Sequence, residues 1–302
     1  MNDPSIPTVA LAGAGGDLGG RILTALLARG ATVRALVRPG DEAAPRLVGL
    51  GATVAEADPA DTGAMAEAVA GAACVVSALN GLADVIVERQ RVLLDAAVTA
   101  GVPRFIPSDF SADYTRTRPG DNRNFDLRRT FEAVLDRAPI QATSILNGAF
   151  MDMLGAEMPV IQPRIRRVLY WGDAEQPLDF TTKDDAAAFT AAAALDDTAP
   201  RILRIAGDTV SARGLADAMT TVTGRPYTTL WAGSIGMLSV MIRIAQLVAP
   251  QRGDTFPAWQ GMQYMRDMFS GRGTLHGLDN DRYPDLRWTS AEALLAANRV
   301  GS

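Results

Sequence analysis

The chain has 302 residues, 48% of them hydrophobic, which is enough for a large core and for two lobes. Its 29 basic and 34 acidic side chains give a net charge of −5 with no basic tract, which argues for small-molecule partners and against nucleic acid or an anionic membrane. The only cysteine, Cys74, rules out an internal disulfide, and with a single histidine, His276, the chain cannot furnish a zinc site.

In chain order, Met1 to Pro7 has neither the positive region nor the apolar core of an export signal, so a cytoplasmic location is expected. A β-branched and aliphatic run, Thr8–Ala12, then feeds directly into Gly13-Ala14-Gly15-Gly16-Asp17-Leu18-Gly19-Gly20 and a helical stretch from Asp17 to Arg29. Gly13 can take the positive φ of a sharp bend, Gly15 and Gly16 let backbone N–H groups approach a pyrophosphate, and Gly19 lets the helix lie close to the strand. The positive N-terminal end of the helix faces the same anion. A second β-rich run, Thr32–Val37, ends at Arg38. A dinucleotide fold reads the adenosine ribose at this place, and a guanidinium suits the 2′-phosphate of NADP better than the 2′-hydroxyl of NAD.

Further strand-like runs at Thr53–Glu56, Cys74–Ala78, Phe105–Pro107 and Gln141–Leu146 alternate with helical patterns. This alternation predicts βαβ units, hence an α/β chain built as a Rossmann-type doubly wound parallel sheet. Cys74 lies in the apolar run Ala72 to Leu79, as a buried, inert thiol would. Beyond Phe150 the alternation gives way to proline-punctuated segments, a helix around Asp184–Leu195, a strand near Ile202–Ile205 and a mostly helical remainder. We therefore expect an NADP-binding domain over residues 1–152 and a smaller, mostly helical substrate lobe over 153–302, part of it returning to the sheet. The apolar stretch Ser234 to Ala249 is too short to span a bilayer and reads as a buried or substrate-covering helix. Met262, Met265, Met268 and Phe269 share a helical face that is either core or an adaptable lid over an aromatic ligand.

Scarcity narrows the chemistry. The only lysine, Lys183, has Asp179 four positions before it, so the Tyr-x-x-x-Lys proton-donating pair is absent. No Gly-x-Ser-x-Gly elbow accompanies His276, and Asp279-Asn280-Asp281 lacks the distal Glu of a calcium loop. What remains suits hydride transfer, in which the cofactor carries the hard chemistry. The one proton to be managed falls to Tyr114, Asp109, Arg128, Tyr264 or His276.

The segment Gly101-Val102-Pro103-Arg104-Phe105-Ile106-Pro107-Ser108-Asp109-Phe110, with Gly13–Gly19, Arg38, Ser77-Ala78-Leu79-Asn80-Gly81 and Ile140 to Phe150, resembles the NmrA-like and isoflavone-reductase-like atypical short-chain dehydrogenases. The resemblance covers about the first half of the chain. It implies an NADPH-binding lobe, a C-terminal lobe closing a cleft over the nicotinamide, and an aromatic, phenylpropanoid-like substrate. It places the glycine turn at Gly13, Ala14, Gly15, Gly16, Asp17, Leu18 and Gly19 and the phosphate-reading arginine at Arg38. Ser77, Ala78, Leu79, Asn80 and Ser108 would line the cofactor, with Asn147, Gly148, Ala149 and Phe150 as the nicotinamide-side loop. Where family reductases carry a lysine, this chain has Arg128, whose high pKa makes it a holder of cofactor or oxyanion rather than a proton donor. The expected catalytic set is thus Arg128, Tyr114 and Asp109. The missing lysine also favours a cofactor sensor of the NmrA type, which would work through a protein partner or a homodimer; a third reading, an isomerase or epimerase with bound cofactor as in extended relatives of the fold, would normally want the absent Tyr-Lys pair.

Overall fold

A computed structural model describes residues 6–154 and 158–300. The chain forms two compact units, one comprising residues up to Phe110, Leu127–Ile145 and Ala186–Leu203, the other Ser111–Asp126, Leu146–Asp185 and the chain from Arg204 onward. The single boundary expected after residue 152 is therefore corrected. The chain passes back and forth between the units, and the second is not the smaller. Helical and strand-like patterns report local structure only, and a helix that begins in one unit and continues in the other leaves no mark in them.

The first unit contains β1 (Thr8–Ala12), α1 (Asp17–Ala28), β2 (Thr32–Val37), α2 (Ala44–Gly49), β3 (Thr53–Glu56), α3 (Thr62–Val69), β4 (Cys74–Ser77), α4 (Gln90–Thr99), β5 (Arg104–Ile106), the larger part of α5 (Arg123–Leu135) and β6 (Gln141–Ala142). The six strands pair in the order β3-β2-β1-β4-β5-β6, all parallel. Val9, Leu11, Val75 and Val76 are completely buried, as near-continuous apolar strands must be when helices cover both faces of a parallel sheet. The strand order reverses between β1 and β4, where dinucleotide folds bind their ligand. The register aligns Ala12 with Leu36 on one side and with Ser77 on the other, so that Gly13, Arg38 and Ala78 all leave the same edge of the sheet. Ile22, Leu23 and Leu26 form the buried stripe of α1, and Phe105 meets Phe131 of α5 at 6.2 Å between ring centroids. Cys74 is wholly buried, and burial pushes its thiol up to about 12.

The sixth strand is shorter than the expected run to Leu146. Thr143 N–H still donates to Phe105 O (3.0 Å), but Ser144 N–H turns to Arg201 O (2.9 Å). A separate strand β7 (Ser144–Leu146) then pairs with Ile202–Arg204. The later chain thus returns beside β7, not to the six-stranded sheet. The helix leading there, α6 (Lys183–Ala194), is rich in buried alanine and has no basic residue in its last turn. Arg104 supplies that charge from β5, donating through Nη1 to the carbonyls of Ala193 (2.9 Å) and Ala194 (3.1 Å).

The second unit is less helical than expected. It contains two three-stranded sheets: β8 (Ala149–Phe150), β11 (Leu178–Thr181) and β13 (Asp208–Val210) in the order β13-β11-β8, and β9 (Ile161–Gln162), β10 (Arg167–Trp171) and β14 (Thr228–Gly233) in the order β14-β10-β9. Between β11 and β13 runs β12, the Ile202–Arg204 strand. Its helices are α7 (Ala212–Thr223), α8 (Ile235–Val248), α9 (Ala258–Phe269) and α10 (Ala291–Val300). Short strands broken by proline give no period-2 run long enough to read in advance. The methionine stripe of α9 resolves to core: Met265, Met268 and Phe269 are buried with Val168, Phe180 and Leu215, and Trp171 meets Phe269 at 5.6 Å. Of the two expectations for helix α8, a buried or a substrate-covering helix, burial does not hold. Only Leu238 and Ile242 are buried on it, and its opposite face is open to solvent. No helix among the described residues is long and apolar enough to cross a membrane.

Candidate functional site

The glycine turn of the first unit is built by contacts that only glycine allows. Gly13 has φ +82°, and a Cβ there would lie 2.6 Å from Ala78 O. A Cβ on Gly19 would stand 2.0 Å from Gly13 O, so α1 can start beside the end of β1 only because Gly19 has none. Gly16 caps α1 without a side chain, leaving the helix N-terminus to a ligand rather than to a capping serine or aspartate. Asp17, which would repel an anion, is drawn aside by Arg21 at 2.8 Å. Around this turn stand three cationic or polar groups. Arg38 is 69% exposed, its nearest acid being Asp41 at 3.7 Å. Arg46 donates Nη2 to Gly15 O (2.9 Å) and so carries a second positive charge to the turn. Sequence reasoning missed it, since on the pattern alone Arg46 is one cation on a short helix. Ser77 is wholly buried at the end of β4, and its hydroxyl has no hydrogen-bond partner among the described residues. A buried hydroxyl in that state invites a ligand group.

Ser108 and the loop after β4 are tied together. Ser108 Oγ donates to Leu79 O (2.6 Å), and Ser108 N–H donates to Oε1 of the buried Gln90 (2.8 Å). Gln90 is a second residue the sequence did not mark, because a glutamine at the start of a helix ordinarily faces water. Asp109 is 1% exposed and accepts from Ser144 Oγ (2.6 Å), which in turn accepts from Arg201 Nη1 (2.7 Å); Arg201 also grips Asp136 at 2.8 Å. Burial, and after it the nearby Asp109 carboxylate, hold the Glu132 carboxyl above its ordinary range, against the pull of Arg201. Asp109 thus belongs to this buried network, held there by the Ser144 hydroxyl. Arg128 lies one turn before Glu132 on α5 and is partly buried.

In the second unit, Tyr114 is 1% exposed, its ring 6.2 Å from that of Phe125, which packs edge-on against Tyr264 at 5.1 Å. Tyr114 thus stands in this aromatic core, while His276 is exposed on a loop. Asn147 is wholly buried. Its backbone N–H donates to Ser111 O (2.9 Å) and its carbonyl accepts from Thr181 Oγ1 (2.7 Å), whereas neither atom of its side-chain amide has a partner among the described residues. Gly148 follows at φ +68°, where a Cβ would lie 2.2 Å from Asp179 O. Ala149 and Phe150 then pair with Phe180 and Thr181. Asp179 fixes this corner, accepting from Thr209 Oγ1 and from Leu275 N–H, each at 2.7 Å. Beside it opens a shallow hollow lined by Ala112, Gly148, Leu178, Asp179, Met268 and Thr274. Gly148→Ala should destabilise the second unit by about 3 kcal/mol, because it adds a backbone clash to an unfavourable φ. Denaturant melts of wild type and variant check this.

The model of the NmrA-like family matches residues 6–241. The chain belongs to the NmrA-like family. Among proteins similar to this NmrA-like chain is pinoresinol reductase 2 of Arabidopsis thaliana, 30% identical over 199 residues, which are 61% of this chain and 63% of that protein. The chain thus matches about 63% of the length of such curated relatives. The fold is also that of AtPrR2 solved with NADP+ and (+)pinoresinol (TM-score 0.79, 22% identity, 98% of this chain and 99% of that one). A crystal structure of isoflavone reductase is equally similar (TM-score 0.79, 20% identity, 97% and 100% covered).

Proposed function

We propose that this NmrA-like protein is a reductase that binds NADPH on its first unit and reduces a small aromatic or conjugated substrate. The observation that carries the reading is the glycine turn at the sheet's switch point, with an uncapped helix N-terminus and Arg38 and Arg46 beside it. These groups fit a pyrophosphate and a 2′-phosphate, and the orphaned Ser77 hydroxyl at the end of β4 fits a polar ligand group. The family relatives, being pinoresinol reductases, support the same reading.

In this mechanism the backbone N–H groups of Gly15 to Leu18 would hold the pyrophosphate, and Arg38 would pair with the 2′-phosphate. Ser77, Ala78, Leu79, Asn80 and Ser108 would line the path along the strand ends of the first unit. Bound NADPH supplies the hydride. Arg128 would steady a developing oxyanion, and the proton would come from water or from a substrate hydroxyl.

That last feature also favours a second reading, a dinucleotide sensor without turnover. The two part in one experiment, in which NADPH oxidation is followed against a panel of enones, quinones, imines and aryl ethers. Turnover with at least one member, following saturation kinetics, is expected of the reductase. No turnover, with NADP and NADPH bound at different affinities, would instead identify a sensor.

A further inference from the structure

A turn of π-helix, Asp84–Arg89, joins the loop after β4 to α4 and releases a backbone carbonyl that a side chain then satisfies. In an α-helix the Gln90 N–H would bond the carbonyl four residues back, at Ile86. Here that N–H goes instead to the carbonyls of Val85 and Val87. The Gln90 side chain takes the carbonyl so released, its Nε2 donating to Ile86 O at 2.9 Å. π-Turns are rare and recur at functional sites. Gln90 is wholly buried, and its amide can point only one way. Ile86 O accepts and Ser108 N–H donates, so Nε2 must face the first and Oε1 the second, at 2.8 Å. Methionine at this position would leave both backbone groups unpaired, and an ionised glutamate would set a carboxylate oxygen against Ile86 O.

Ser108 carries the effect of this bond to the sheet edge from which Gly13 and Ala78 also leave. β4 and β5 run parallel, with Val75 against Phe105 and Val76 against Ile106, so Ala78 and Ser108 emerge side by side. Ser108 Oγ donates to Leu79 O (2.6 Å), which completes a hydrogen-bonded path from Ile86 through Gln90 and Ser108 to Leu79. A serine hydroxyl has one proton, and Leu79 holds it, so its lone pairs are what remains for a ligand. We infer that Gln90 is a positioning residue of the dinucleotide site. It fixes Ser108 as a hydrogen-bond acceptor for a donor such as a ribose hydroxyl and, through Ser108, holds the loop after β4 in place. This role rests on the NADPH site proposed above.

Calorimetry with NADPH and with adenosine 2′,5′-bisphosphate tests it, because the bisphosphate reaches the glycine turn and Arg38 but carries nothing beyond its 5′-phosphate. Gln90→Met should bind NADPH about 10-fold more weakly, the worth of one misplaced hydrogen bond, and the bisphosphate within about twofold of wild type. Ser108→Ala, which leaves α4 untouched, should show the same split. The double variant should lose no more than the larger single loss, since Gln90 acts through Ser108, whereas a residue that only supports the fold would add its loss to that of Ser108. Should Gln90→Met fail to fold, Gln90→Glu, equal in size and still able to accept from Ser108 N–H, takes its place. Equal losses for the two ligands, unchanged NADPH affinity in Ser108→Ala or in the Gln90 variant, or additive losses in the double variant overturn the role of Gln90. Wild type binding neither ligand would overturn the NADPH site itself, and this role with it.

Discussion

Gly19→Ala should abolish dinucleotide binding and destabilise the first unit by about 3 kcal/mol or more, the upper range for overpacking. The new Cβ would lie 2.0 Å from Gly13 O and 2.6 Å from its carbonyl carbon. Both are backbone atoms, so no side-chain rotation relieves the clash. Either α1 must move away from β1 or the turn must open, and each takes the helix N-terminus from the phosphate position. A Cβ on Gly16 would meet its nearest atom at 3.4 Å, an ordinary contact, so Gly16→Ala should retain fold and binding. Calorimetry with NADPH and thermal melts on both variants check the pair.

The second large effect lies far from that turn. Arg104→Ala should cost about 2–4 kcal/mol of stability, because it removes two charge-assisted hydrogen bonds and leaves a buried void. The two carbonyls it releases belong to the last residues of α6, a helix with buried alanine on most sides and no basic residue of its own in the final turn. A cation at a helix C-terminus also opposes the partial negative charge there. Part of the loss is offset, since Arg104 Nε and Nη2 are buried without hydrogen-bond partners among the described residues. Urea unfolding of wild type, Arg104→Ala and Arg104→Lys checks this, the lysine keeping part of the charge but not the fork. Nucleotide affinity should be unchanged in the folded variants.

The parts legible in the sequence are those whose causes are local. β1, the glycine turn, α1 and Arg38 all lie within a stretch of about 30 residues, and glycine spacing reports directly on positive φ and close approach. β1, β2 and β3 have the bounds that their apolar runs suggested. What failed depended on partners distant in sequence. The break at Thr143 is set by Arg201, and the role of Arg104 by α6, each more than fifty residues away. The burial of Asp109 and Tyr114 was not legible, because the Ser144–Arg201 network and the Phe125–Tyr264 pair that surround them lie beyond any local pattern. Periodicity showed that α8 is apolar, but not that half of its apolar surface faces outward.

The central claim is that the first unit reads the 2′-phosphate of NADPH through Arg38. Calorimetric titration of wild type and Arg38→Ala with NADPH and with NADH tests it most directly. Wild type should prefer NADPH, and Arg38→Ala should lose about 10- to 100-fold in NADPH affinity with NADH unchanged, the worth of one charge-assisted contact. Equal affinity of wild type for the two cofactors, or equal losses of both in the variant, would contradict the account.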